Sequence, residues 1–154
     1  MLALLALVTG CGSTDPVACD AVGVLRGFSL RIEPPTAART GAASLEVCWD
    51  GTCRQEQVPL HPETTAVGST CSGESCGVRT EPTGGRFGFV AVPELPTTVV
   101  RVRVRITDTA GAPLVERTTE LTPHLVSRGD PRCGDGGPQA ALTITGDGEL
   151  RVGR

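Results

Sequence analysis

The sequence predicts an all-β domain, namely an antiparallel immunoglobulin-like β-sandwich of seven to eight short strands that is stapled by disulfides. Three observations support this class. The chain of 154 residues contains 20 Gly and 12 Pro, which favour tight turns over helices. Short apolar segments bounded by turn residues alternate with polar positions at a period of two. No segment shows the 3.6-residue periodicity of an amphipathic helix.

The predicted strands follow one another between clear turn signals. The first lies within residues 22–32 and ends at Pro34-Pro35, and the second enters a hairpin whose two-residue turn is Asp50-Gly51. Residues 59–85 form a long, weakly patterned stretch that contains the loop between Cys71 and Cys76, and no strand is predicted in it. The remaining strands are predicted over apolar or alternating segments: residues 87–92, 98–107, 114–121, 140–145 and 149–152. Residues 87–92 are apolar at every position, which is typical of a central strand buried on both faces.

The N-terminus has the features of a lipoprotein signal. Residues 2–8 form an apolar run that is far shorter than the roughly 20 residues needed to cross a bilayer. Val8-Thr9-Gly10-Cys11 is similar to a bacterial lipobox, whose Cys receives the lipid. We therefore expect a signal peptide over residues 1–10, truncated because only Met1 precedes the apolar run, and lipidation at Cys11. The alternative is an ordinary buried hydrophobic segment.

This interpretation divides the chain and predicts where it is found. Residues 11–19 would be a lipid-anchored tether and residues 20–154 a single β-sandwich domain. The domain would lie on the extracytoplasmic face of the cell membrane, to which the lipid on Cys11 would attach it.

Six cysteines remain once Cys11 is assigned to lipid, and they predict three disulfides among 15 formal connectivities. The Asp50-Gly51 turn places Cys48 opposite Cys53 in a hairpin, at a separation suited to a bridge. Cys71 and Cys76 have the same spacing and would close a Ser/Gly-rich loop, which leaves Cys19 to pair with Cys133. Zinc is disfavoured because no C-x₂-C pair exists and both His lie far from the Cys pairs in sequence. No metal or cofactor is expected.

The order of these features resembles a known group of proteins. A C-x₄-C hairpin, a Cys-rich loop, a Phe-Gly-Phe strand, an Arg/Val ladder and the segment CGDGGPQAALTI beginning at Cys133 are similar to uncharacterised secreted lipoproteins of actinobacteria. The resemblance covers residues 43–152. The absence of Lys, Asn and Tyr fits the codon bias of a GC-rich genome. The resemblance implies an exported lipoprotein and supplies no activity.

Two motifs could carry catalysis, and each has a simpler interpretation. Gly73-Glu74-Ser75-Cys76-Gly77 matches the G-x-S-x-G nucleophile elbow, which requires a preceding buried strand and a following helix. The flanking Ser, Gly and Cys residues favour a chance match. His61 and His124 each adjoin a Pro and are expected to be turn or surface residues.

The Gly-Asp-Gly stretches at 134–136 and 146–148 are expected to be turns, because neither resembles a calcium-binding EF-hand loop.

An arginine ladder is the feature with the most directional chemistry. Arg101, Arg103 and Arg105 would lie on one sheet face about 7 Å apart, an arrangement suited to a polyanion. The alternative is a solvated strand face on which Glu116 and Glu120 of the next strand neutralise the arginines. The formal net charge of −3 argues against nucleic acid as a partner.

The expected function is that of a cell-surface lipoprotein with a non-enzymatic binding or structural role. Its partner would be an unknown envelope protein or a polyanion. Two alternatives remain, a small secreted hydrolase-like enzyme and an accessory or inhibitor domain for a secreted enzyme.

Overall fold

Two β-sheets form most of the computed structural model, which describes residues 25–127 and 131–153. Apart from one four-residue helix and a 3₁₀ turn at Pro131–Cys133, the described elements are strands. In chain order they are β1 (Gly27–Ile32), α1 (Thr36–Arg39), β2 (Thr40–Trp49), β3 (Thr52–Gln57), β4 (His61–Ser72), β5 (Ser75–Ala91), β6 (Val100–Asp108), β7 (Pro113–Leu121), β8 (His124–Ser127), β9 (Asp135–Ile144) and β10 (Leu150–Gly153).

The chain alternates between the two sheets. The six-stranded sheet has the order β10-β9-β1-β5-β4, with β8 pairing to β9 beside β10, and the four-stranded sheet has the order β3-β2-β6-β7. All neighbouring strands are antiparallel except β1 and β9, which are parallel. Strands β4, β3 and β7 are therefore sheet edges, and so are β8 and β10, which pair with different parts of β9.

The core lies between the sheets and is mainly aliphatic. Alternate residues of each central strand point inward, as the period of two requires. The six-stranded sheet contributes Phe28, Leu30, Ile32, Val90, Leu142 and Ile144, and the four-stranded sheet contributes Leu45, Val47, Val100, Val102, Val104 and Ile106, all of them buried. Each such side chain contributes about 1.5–3 kcal/mol relative to its exposed state, so these two layers hold the fold together. The prediction of a disulfide-stapled, sandwich-like all-β domain is confirmed.

The first hairpin has the predicted turn and register. Asp50 and Gly51 have φ values of 48° and 75°, and both are positive as a type I′ turn requires. Trp49 lies opposite Thr52, and Cys48 lies opposite Cys53. These two cysteines form a disulfide with their Cα atoms 4.0 Å apart. Leu45 and Val47 on the same strand are fully buried, so the core holds this hairpin against the molecule.

The prediction of no strand within residues 59–85 is wrong. Strand β4 and the first part of β5 occupy most of this segment and form a long hairpin, and with β8, which was also not predicted, the described residues contain ten strands. The segment lacks apolar alternation because neither of its faces is buried. The signal that identifies a half-buried strand is therefore absent from it.

The expectation that residues 87–92 are buried on both faces is also wrong. Val90 and Val92 are buried, but Phe87 is 43% exposed and Phe89 is half-buried on the outer face of the six-stranded sheet. Gly88 faces inward, where a Cβ atom would lie 2.6 Å from Pro59 O and from Val58 Cγ1. The strand is apolar throughout, yet only one of its faces packs against the other sheet.

Several predictions fall on residues outside the described ranges. The signal peptide over residues 1–10, the lipidation site Cys11 and the tether over residues 11–19 all belong there. Cys133 is disulfide-bonded. Cys19, the partner predicted for it, lies outside the described residues, so this pairing stays a prediction. Within those residues, no helix is long and apolar enough to cross a membrane.

Candidate functional site: a projecting β-arm

The part of the hairpin that extends beyond the sandwich is the most distinctive surface feature. We call residues 64–82 the arm, because β4 and β5 pair only with each other over this length within the described residues. All of these residues are exposed. From Thr64 to the turn, the arm is about 26 Å long at 3.3 Å per residue. It is a two-stranded ribbon with solvent on both faces and along both edges.

The tip of the arm repeats the construction of the first hairpin. Gly73 and Glu74 form the two-residue turn, and Gly73 has a φ of +60°, which a glycine at the first central position of a type II′ turn adopts easily. Cys71 lies opposite Cys76, and the two form a disulfide with their Cα atoms 4.1 Å apart. The spacing and the position of the bridge relative to the turn match those of Cys48–Cys53.

The root of the arm is held by a polar cluster. Arg31 of β1 forms a salt bridge from Nε to Glu63 Oε1 at 2.7 Å, and the Thr83 hydroxyl donates to Glu63 Oε2 at 2.7 Å. The hydrogen bond from Thr83, together with the bond and positive charge of Arg31, outweighs the effect of burial and lowers the pKa of Glu63 below its usual value. A Cβ atom on Gly85 would lie 2.6 Å from Glu63 Oε2, so this position favours glycine.

The two edges of the arm differ in composition. Residues 64–72 of β4 contain neither a charged residue nor a proline, whereas the opposite edge on β5 carries Arg79, Glu81 and Pro82. The other long edges of the described sheets also carry charge, on β3 and β7, and β8 and β10 are only four residues long. Charges, prolines and short length are the usual devices that stop a sheet edge from pairing with another chain. The β4 edge lacks all three, although its register with β5 shifts at a bulge between Ala66 and Gly68, so residues 68–72 form its regular part.

Backbone hydrogen-bonding groups point outward along this edge. Ser72 and Ser75 flank the turn and form a hydrogen-bonded pair, after which hydrogen-bonded and non-hydrogen-bonded pairs alternate as far as Gly68, where the register shifts. Ser69 and Val78 form the fourth pair from the turn and are therefore non-hydrogen-bonded. Ser69 directs its N–H and C=O to the free edge of β4, and Val78 directs its own to the free edge of β5.

One face of the arm is a shallow groove of about 480 Å³. Its lining residues are small or extended: Gly68, Ser69, Thr70, Gly77, Val78 and Arg79. A Cβ atom at Gly68 or Gly77 would meet nothing within 4 Å, so the backbone itself forms the floor of the groove.

The arginine ladder lies on the outer face of the four-stranded sheet, and much of its charge is neutralised. Glu116 on β7 binds both Arg103 and Arg105, the latter at 3.0 Å from Nε to Oε2. Glu46 on β2 lies 4.0 Å from Arg103. Hydrogen bonds from Arg103 and then Arg105 outweigh desolvation and lower the pKa of Glu116. Arg101 is in register with Glu120, which the acid-paired alternative also predicts.

The candidate catalytic residues do not converge. Ser75 is exposed, opens β5 directly after the turn and is followed by a strand rather than by the helix of a nucleophile elbow. His61 lies at the other end of β4, opposite Phe87, about 36 Å away along the strand. His124 lies on β8, which pairs with β9 on the side of that strand away from β1.

The Gly-Asp-Gly stretch at 146–148 is a structured turn. Asp147 accepts a short hydrogen bond from the Thr145 hydroxyl, and this bond is the main cause of the lowered pKa of Asp147. The Glu149 N–H donates to the Thr145 hydroxyl oxygen at 3.0 Å, which closes the turn. Among the residues that the structure describes, no group of three or more His, Cys, Asp or Glu side chains is placed to hold a metal ion.

Comparison with known proteins identifies no relative. No protein-family profile, no curated protein sequence and no solved structure matches this chain.

Sequence reasoning missed the arm, although one signal was present. The C-x₄-C spacing of Cys71 and Cys76 repeats that of Cys48 and Cys53, for which the hairpin was predicted. Each of these six-residue segments also has a glycine at one of its two central positions, Gly51 in the first and Gly73 in the second. Applying the same hairpin to both spacings would have predicted β4 and β5.

Proposed function

We propose that this chain is a lipid-anchored, extracytoplasmic binding protein with a non-enzymatic role, and that the arm is its contact element. The proposal has three parts: the address, the fold and the binding surface.

The address is supported mainly by the sequence. The apolar run over residues 2–8 and the lipobox-like Val8-Thr9-Gly10-Cys11 favour a lipid-anchored protein in the envelope. Disulfides in the domain fit an oxidising compartment outside the cytoplasm. A Cys11→Ser variant should lose the acyl chains detected by mass spectrometry and leave the membrane fraction. A variant that stays membrane-bound would contradict the lipid anchor.

The immunoglobulin-like part is supported by two facing, mainly antiparallel sheets, between which the chain passes repeatedly. Cys48–Cys53 and Cys71–Cys76 each join two neighbouring strands within a sheet. The conserved disulfide of antibody domains instead links one sheet to the other. The likeness proposed is therefore one of architecture.

The binding role is carried by a single observation, the exposure of the arm on both faces. An element that buries none of its residues adds little to the stability of the sandwich, and a free two-stranded hairpin is at best marginally stable. The disulfide at its tip and the salt bridge at its root nevertheless keep it extended. A role in contacting another molecule accounts for an arm that is kept extended without being packed against the sandwich.

A comparison of two crosslinking positions tests this role. A photoreactive amino acid at Val78, on the arm, is compared with one at Gln55 on β3, in cells that export the protein. We expect crosslinked products from Val78 in clear excess over those from Gln55. Equal yields, or products from Gln55 alone, would contradict the arm as the contact element.

The arginine ladder supports a weaker second candidate, a polyanion-binding face. Pairing of Arg103 and Arg105 with Glu116 reduces the charge available to a ligand. If the face binds a polyanion, Glu116→Gln should strengthen retention on an anionic polymer, and Arg103→Glu should abolish it while the fold is kept. Unchanged retention in both variants would remove this candidate.

A further inference from the structure

We propose that the β4 edge of the arm pairs with the β4 edge of a second copy of this chain, so that two arms form one continuous four-stranded ribbon. This inference rests on the proposed function of the arm and names its partner.

The open edge is the first argument. Over residues 68–72, between the bulge at Val67 and the turn, β4 offers outward backbone donors and acceptors with no charge, proline or covering element to block a further strand. The free edge of β5 also has outward backbone donors and acceptors, but it carries Arg79, Glu81 and Pro82, which oppose pairing with a further strand. The difference between two edges of one ribbon locates the pairing on β4.

The absence of charge on the β4 edge and of deep pockets on the arm favours a second copy of the chain over a foreign peptide as the partner. Two β4 edges bring no like charges together, because neither carries any. A foreign strand added to a sheet edge derives its specificity from pockets that receive alternate side chains. The arm is one layer thick and exposed on both faces, and its groove has a floor of glycine backbone, so it has no deep pocket to offer.

Pairing would also stabilise the arm itself. Two strands without a packed face are marginal on their own, and pairing would give each β4 a second hydrogen-bonded neighbour. A two-fold symmetric pairing uses the β4 edge of both copies. The outer edges of the four-stranded ribbon are then the two β5 strands, whose charges and proline oppose further pairing. The assembly therefore stops at two copies rather than growing into a fibre.

The Ser69–Val78 pair offers a matched test. Ser69→Pro removes an N–H that points to the free edge of β4 and spares the hydrogen bonds to β5. Val78→Pro makes the equivalent change on the free edge of β5. Sedimentation velocity of the full chain carrying Cys11→Ser, from about 5 to about 200 μM, measures the monomer–dimer equilibrium. Mass spectrometry verifies that the Cys71–Cys76 bridge is intact in each variant.

We expect a concentration-dependent dimer, weakened at least about tenfold by Ser69→Pro and little changed by Val78→Pro, because only the first loses interface hydrogen bonds. If Ser69→Pro misfolds, Ser69→Lys replaces it, with Val78→Lys as control, since an edge lysine opposes strand pairing. A monomeric parent chain, or equal effects of the β4 and β5 variants, would overturn the proposal. A monomer whose Val78 position still crosslinks an envelope protein would overturn self-pairing and leave the proposed function intact.

Discussion

The two C-x₄-C hairpins use the same covalent device in opposite surroundings. In β2–β3 the bridge lies above a strand whose alternate residues, Leu45 and Val47, are fully buried in the core. In β4–β5 the bridge closes a ribbon with no buried residue between Thr64 and Pro82. The core orders the first hairpin, and the disulfide reinforces it. The arm depends on its own turn, bridge and root contacts, so the same bond has a different importance in each place.

The largest expected difference between the hairpins comes from truncating an apolar side chain. Leu45→Ala should lower the free energy of unfolding by about 2–5 kcal/mol, because it opens a cavity in the core. Val78→Ala on the arm should change the free energy of unfolding by less than about 0.5 kcal/mol, since Val78 is 61% exposed. Urea denaturation measures both. Comparable losses would mean that the arm packs against the sandwich.

Removal of each disulfide should separate local from global effects. Each bridge closes a short loop, worth about 2 kcal/mol in the chain-entropy model. The double variant Cys71→Ser/Cys76→Ser should lose about 30-fold in hydrogen-exchange protection over residues 64–82, with no change in the melting temperature of the sandwich. Cys48→Ser/Cys53→Ser should instead lower the global stability. The idea of an independent arm would be untenable if the first variant unfolded the whole domain.

The turn glycines provide a smaller version of the same contrast. Gly51 and Gly73 both have positive φ values, 75° and 60°. A side chain at either position should cost about 1–2 kcal/mol in backbone strain. Gly51→Ala should therefore reduce the global free energy of unfolding, and Gly73→Ala should reduce only the exchange protection of the arm. A global effect of Gly73→Ala would show coupling that the structure does not contain.

The smallest expected effect is a pH dependence at the root of the arm. The pKa of Glu63 is lowered in the folded state, so its stabilising contribution is complete above the ordinary glutamate pKa of about 4.5 and is lost as the pH falls through the lowered value. As the pH falls below that ordinary value, the hydrogen-exchange protection of the arm should decrease by an amount equivalent to less than about 1 kcal/mol. Glu63→Gln should have lower protection than the parent at pH 5 and should lack this dependence.

The features that the sequence predicts correctly are those where local chemistry and burial agree. Asp50-Gly51 sets the turn, the register of Cys48 and Cys53 follows from it, and the alternation along β6 separates a buried valine face from an arginine face. In these segments the turn signal and the period of two lead to the same structure.

The arm and the phenylalanine strand escape prediction for opposite reasons. The arm has a strand conformation without a buried face, so its sequence carries no alternation to detect. Phe87 and Phe89 are apolar but lie on the outer face of the sheet, and Gly88 takes the inward position against Val58. Periodicity reports burial rather than strand conformation, and here the two do not coincide. Self-pairing of the arm depends on an unguarded edge, which only the sheet order reveals.

The independence of arm and sandwich can be measured directly by removing the arm. Replacing residues 64–82 with an Asn-Gly turn should leave the free energy of unfolding within about 0.5 kcal/mol of the parent, because no core residue is lost. A loss of 2 kcal/mol or more would contradict the account, since the arm would then belong to the structural framework of the domain.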